Sequence, residues 1–159
     1  MRYLKRFNES ATNEITNDCK DILIDFTDSG YFVDSYLRSN TLIVEIGERE
    51  SKMIKLHEFE EPLERLLYFL SSEEYSLTGK SYVQNDNWEA NTQCPECGSE
   101  SIDTIDTGDE FLSTCKKCGY NDDNTNFLDF RHRVNESDIK YFVKHKYWVQ
   151  YIYLVFEKK

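Results

Sequence analysis

Cys94-Pro95-Glu96-Cys97-Gly98 and Cys115-Lys116-Lys117-Cys118-Gly119 are two copies of one short pattern, C-x2-C-Gly. Seventeen residues, Gly98 to Thr114, separate the two cysteine pairs. A C-x2-C pair can bend into a knuckle that aims two thiolates at one point. Gly98 and Gly119 permit the turn that points backbone N–H groups at those sulfurs, fixing their geometry and offsetting their charge. Between the pairs, Ser101-Ile102-Asp103-Thr104-Ile105-Asp106 and Phe111-Leu112-Ser113-Thr114 can run antiparallel around Thr107-Gly108-Asp109-Glu110. A module of about 25 residues buries too little apolar surface to fold alone, so a bound metal must supply the folding free energy. Four thiolates complete a tetrahedral shell and leave no place for a reactive water.

This pattern, CPECG…CKKCG over residues 94–119, resembles a zinc ribbon. The resemblance implies one structural Zn2+ held by Cys94, Cys97, Cys115 and Cys118. An iron site on the same thiolates, a redox dithiol and a degenerate ribbon are the competing readings. From Cys94 to Cys118 the chain has two basic and six acidic residues. A ribbon of that charge is a poor phosphate binder and suits a basic protein surface. Asp103, Asp106, Asp109 and Glu110 do not match a calcium loop.

The flanks place this module in the chain. Asn85 to Thr92, with the lone Trp88, and Asn121 to Asn126 are both polar and rich in Asn and Asp. They read as linkers, so residues 85–126 form an insertion between two strands of a main domain at 11–84 and 127–159. Residues 1–10 form a basic leader. The expected fold is α+β: a mainly antiparallel sheet, two principal helices and the inserted ribbon.

Residues 12–28 read as the first helix, with Ile15, Cys19, Ile22, Leu23 and Phe26 on one face and Ser29-Gly30 as its stop. Cys19 lies on that apolar stripe and reads as a small core residue. Tyr31–Leu37 and Thr41–Ile46 form a hairpin around Arg38-Ser39-Asn40. A second helix spans about 59–72, with Pro62 in its first turn and Leu63, Leu66, Leu67 and Leu70 as its seam. Lys80–Gln84 and Phe127–Val134 read as strands, and 137–144 as a short helix. Tyr147–Phe156 is a long strand, central because both of its faces are apolar.

The full chain has 159 residues, 19 basic and 30 acidic, for a net charge of −11. Residues 7–130 hold nine basic and 27 acidic residues, whereas residues 131–159 hold seven and three. An acidic body repels nucleic acid, and only the two ends attract it. No apolar run is long enough for a membrane span or a signal peptide, so a cytoplasmic, thiol-preserving setting is expected. His57, His132 and His145 stand apart from any ligand spacing. No P-loop, G-x-G-x-x-G, H-E-x-x-H or G-x-S-x-G is present, so no enzyme is indicated.

Met1 to Ser10 carries Arg2, Lys5 and Arg6 beside Tyr3, Leu4 and Phe7, then Phe7-Asn8-Glu9-Ser10. It resembles the capsid-targeting leaders of some tailed-phage internal proteins, which implies cleavage after Glu9; a packing or fraying helix is the plain alternative. The leading expectation is a non-enzymatic zinc-binding accessory or adaptor protein, phage-encoded on that resemblance, that contacts another protein. The alternative is single-stranded nucleic-acid binding through Arg131, Arg133, Lys140, Lys144, Lys146 and Trp148. A virion internal protein is the second alternative. Neither a membrane nor a small-molecule substrate is expected as a partner.

Overall fold

A computed structural model of the chain describes residues 14–48, 53–85, 94, 96–106, 111–119, 126–127 and 131–159. The leader and the polar segments 86–93 and 121–125 lie outside the described residues. The fold is α+β with a mainly antiparallel sheet. No described helix is long and apolar enough to cross a membrane.

The first helical stretch differs from the single helix expected. Residues 14–22 form α1, the chain turns at Leu23 (φ −94°, ψ 16°), and α2 follows at Ile24–Asp28. The Phe26 N–H bonds the Leu23 carbonyl three residues back, which tightens the chain there. Cys19, Leu23 and Phe26 are all fully buried across that break. The end is a Schellman motif: Gly30 N–H reaches Thr27 O and Tyr31 N–H reaches Phe26 O, with Gly30 at φ 89°. This delivers Tyr31 into the core, where its hydroxyl donates to Met53 O at 2.8 Å.

Strands β1 (Phe32–Arg38) and β2 (Thr41–Gly47) form the expected hairpin, closed by Ser39 and Asn40. Strand β3 (Ile54–Lys55) leads through a 3-10 turn, Leu56–Phe59, into α3 (Glu60–Ser72). Pro62 sits in the first turn of α3, where no intrahelical N–H is needed. Leu63, Leu66, Leu67 and Leu70 face the core. Phe59 stacks on Phe26 at 3.9 Å between ring centroids, which joins the 3-10 turn to α2.

The remaining strands are β4 (Tyr75–Leu77), β5 (Tyr82–Gln84), β6 (Ile102–Asp106), β7 (Phe111–Cys115), β8 (Asn126–Phe127) and β9 (Arg131–Arg133). Helix α4 (Glu136–Lys144) then precedes β10 (Tyr147–Val149) and β11 (Tyr151–Lys158). Asn135 and Asp138 form a reciprocal capping box at the start of α4. The main sheet has the order β1-β2-β11-β5-β9, with β4 also paired to β11. Strand β11 is central, as its composition suggested. Ile152, Leu154 and Phe156 enter the core, while Tyr151 and Tyr153 lie on the opposite face and stay partly exposed.

The C-terminal strand is not continuous. It divides at Gln150, so that β10 pairs with β3 and β8 in a small second sheet and β11 stays in the main one. Buried Asn85 bridges the break: its side chain accepts from Gln150 N–H at 2.8 Å and donates to Trp148 O at 3.2 Å. A second buried polar residue completes the main sheet. Between β4 and β5, the Ser81 hydroxyl accepts from Val155 N–H at 3.0 Å, and Thr78 N–H donates to Val155 O at 2.8 Å. Those bonds replace a ladder rung that neither β4 nor β5 supplies.

Candidate metal centre

Strand β9 pairs with β5, Tyr82 opposite Arg133 and Gln84 opposite Arg131, and the two cysteine pairs lie in the chain between those strands. The hairpin of β6 and β7 joins the pairs, from Ile102 opposite Cys115 to Asp106 opposite Phe111. Its two knuckles close in the same way. Gly98 N–H donates to Cys94 O at 2.7 Å, and Gly119 N–H to Cys115 O at 2.9 Å. Gly98 takes φ 69° and Gly119 φ 75°, a conformation that costs a side-chain-bearing residue about 1–2 kcal/mol. The glycine after each pair is therefore what its turn requires.

This local folding brings Cys94, Cys97, Cys115 and Cys118 together, with all four sulfurs within 4.8 Å of one another. Cys94 and Cys118 approach to 3.6 Å between their sulfurs, and Cys97 and Cys115 to 3.7 Å. Four thiolates about 2.3 Å from a tetrahedral zinc would lie about 3.8 Å apart. The cluster thus has the dimensions of a ribbon-type metal site. Cys94 and Cys115 are buried, Cys97 is half-buried and Cys118 is exposed.

The electrostatics are uneven. Burial pushes the Cys94 thiol up to about 12, although backbone N–H groups of Cys97 and Glu96 pull the other way. Cys115 is held down at about 6, chiefly by the Cys118 N–H and also by that of Lys117. The backbone N–H groups of the second knuckle thus favour the ionised form of Cys115. Such donors lower the repulsion among four anionic sulfurs gathered at one cation.

One contact that sequence reasoning missed joins the first knuckle to the body. Lys55 of β3 forms an ion pair with Glu96, between Cys94 and Cys97 in sequence. The Lys55 ammonium also lies 3.7 Å from the Glu58 carboxylate and 4.9 Å from the centre of the Trp148 ring. Only the i, i+3 spacing of Lys55 and Glu58 was visible beforehand. The partners from β10 and the knuckle lie far from Lys55 in the sequence.

The residues expected to contact nucleic acid are dispersed. Arg131 and Arg133 are exposed on β9. Lys140 pairs with Glu136 along α4 at 3.0 Å, and Lys144 and Lys146 are exposed at its far end. Trp148 is only 6% exposed and faces Lys55, so it offers no stacking surface to solvent. Cys19 is fully buried beside the Ser35 hydroxyl, and burial pushes its thiol up to about 12, in keeping with a core role. Comparison of the chain with family profiles, with curated proteins and with solved structures returns no match.

Proposed function

We propose that Cys94, Cys97, Cys115 and Cys118 hold one structural Zn2+, and that the ribbon so folded is the contact module of a non-enzymatic accessory or adaptor protein. The observation that carries this reading is the closed sulfur cluster, with its 3.6 and 3.7 Å approaches. Four thiolates give zinc a complete shell, so the ion shapes the chain rather than activating water. The excess of acidic over basic residues in the ribbon favours a basic protein surface as partner. The leader's resemblance to capsid-targeting peptides supports a phage-encoded origin.

The test is affinity capture by zinc-loaded protein, with mass spectrometry of what is retained. Three forms are compared: native chain, Cys115→Ser, and Glu100→Lys with Asp103→Lys. The reading expects a basic protein held by the native chain and released by both variants, the charge-reversed one keeping its zinc. A hydrolytic or transfer activity that vanishes with one carboxylate substitution, zinc still bound, overturns it.

A further inference from the structure

The face of the main sheet opposite the helices carries a cluster of rings. Tyr82 and Tyr153 stack with centroids 4.9 Å apart and planes at 21°, and Tyr151 lies beside both, 6.2 Å from Tyr82 and 6.4 Å from Tyr153. Tyr151 is held in place by its hydroxyl, which donates to Glu45 at 2.7 Å. Phe32, Gly47 and Tyr151 are cross-strand neighbours on β1, β2 and β11. Gly47 has no side chain, so a slot opens between the rings of Phe32 and Tyr151. A Cβ placed there would lie 3.4 Å from the Tyr151 ring and 3.8 Å from that of Phe32. The gap is therefore about one atomic layer thick, the thickness of a planar heterocycle. It belongs to a cavity of ≈ 460 Å³, within the usual range of small-ligand sites.

The walls supply two further kinds of contact. Glu48, Gln84 and Gln150 give the cavity a polar edge of amides and a carboxylate, suited to the edge of a base. At its rim lies Arg131, whose guanidinium rests 4.2 Å above the Tyr82 ring while its Nε donates to Gln84 at 3.0 Å. The terminal amino groups of Arg131 make no hydrogen bond among the described residues, and a fork of that kind matches a phosphate. Of the carboxylates on the same face, Asp34 is paired with the Lys20 ammonium at 3.0 Å, while Glu45 accepts from the Tyr151 hydroxyl and Glu48 from the Gln150 amide at 3.5 Å and both keep their charge.

We infer that this slot binds a mononucleotide: its base enters over Gly47 between Phe32 and Tyr151, and its phosphate pairs with Arg131. One phosphate rather than a strand is the fit, because a chain of net charge −11 repels a long polyanion and, among the described residues, a single guanidinium guards the rim. The site is separate from the cysteine cluster, so it stands or falls independently of zinc.

The experiment is calorimetric titration of the zinc-loaded full chain at low ionic strength. The probes are the four ribonucleoside 5′-monophosphates, the matching nucleosides and a single-stranded oligothymidylate. At least one monophosphate is expected to bind. Gly47→Val, which fills the slot, should weaken it by about tenfold or more, and Phe32→Ala, at an exposed ring, should weaken it without disturbing the core. Arg131→Gln should weaken the monophosphate about tenfold and its nucleoside less than about twofold. Circular dichroism and zinc content confirm that each variant is folded. Binding of no monophosphate overturns the proposal. So does binding of the oligonucleotide alone, or affinity that both Phe32→Ala and Arg131→Gln leave unchanged.

Discussion

Removing the ion pair between Lys55 and Glu96 should weaken metal binding, although neither residue is a ligand. The Lys55 side chain is 16% exposed and that of Glu96 32%, so the pair is partly shielded from water. Fully exposed pairs contribute about 0.2–1 kcal/mol, and partial burial strengthens the attraction while adding a desolvation cost. A coupling of about 1 kcal/mol is a reasonable figure. On the zinc-ribbon reading the knuckle folds as the metal binds, so the pair forms in the same step. Its loss therefore reads out as about fivefold in apparent zinc affinity. Each single variant changes something else as well. Lys55→Met removes the contact with Trp148, worth about 0.5–1 kcal/mol, and Glu96→Gln removes a negative charge beside the sulfurs. A double-mutant cycle cancels those terms. Zinc affinity is measured by competition with a chromophoric chelator for the native chain, both single variants and the double variant. A coupling near fivefold that shrinks with added salt is expected. Single effects that add to within about 0.3–0.5 kcal/mol would refute the link between knuckle and body.

Other consequences concern the body. Ser81→Ala leaves the Val155 N–H buried without its 3.0 Å acceptor and should cost about 1–3 kcal/mol, a fall in Tm of roughly 3–10 °C; a calorimetric shift below about 1 °C would show that the hydroxyl is dispensable. Gly30→Ala should cost about 1–2 kcal/mol through its φ of 89° alone, since nothing lies within 4 Å of the added methyl group. Gly79→Ala, equally uncrowded and without a positive φ, is the matched control, and equal denaturation midpoints for the two would refute the backbone argument. Burial raises Tyr31 from 10 to about 12 and Cys19 from 9 to about 12. Both groups are neutral in the fold, so their contribution is intact below pH 9 and is lost as pH climbs toward 12. The urea midpoint should fall steadily over that window; a flat or rising one contradicts the burial of these two groups.

What was legible in the sequence was local. The β1–β2 hairpin, the leucine seam of α3, the Gly30 stop and the C-x2-C knuckles are each set by residues close together in the sequence. Each was readable because its periodicity or turn chemistry is complete within one stretch. What was hidden depends on partners far along the chain. Tyr147 to Phe156 looks uniform, and its division at Gln150 becomes visible only when Asn85 arrives from β5 to satisfy the broken backbone. Asn85 itself looked like linker. The helix expected over 12–28 breaks at Leu23 because packing of Cys19, Leu23 and Phe26 outweighs helical continuity there. Trp148 looked like a stacking platform beside basic residues, yet it faces inward beneath Lys55. The ring-lined slot needs Phe32, Gly47 and Tyr151 from three strands, and no sequence spacing records that neighbourhood.

The most direct measurement is the metal content of the purified chain, paired with the spectrum of its cobalt-substituted form. One zinc per chain is expected, with the intense visible absorption of tetrahedral thiolate-bound Co2+, and both should be lost in Cys94→Ser and Cys115→Ser. A native chain that binds no divalent metal, or a Cys115→Ser variant that holds it with undiminished affinity, would contradict the four-thiolate centre.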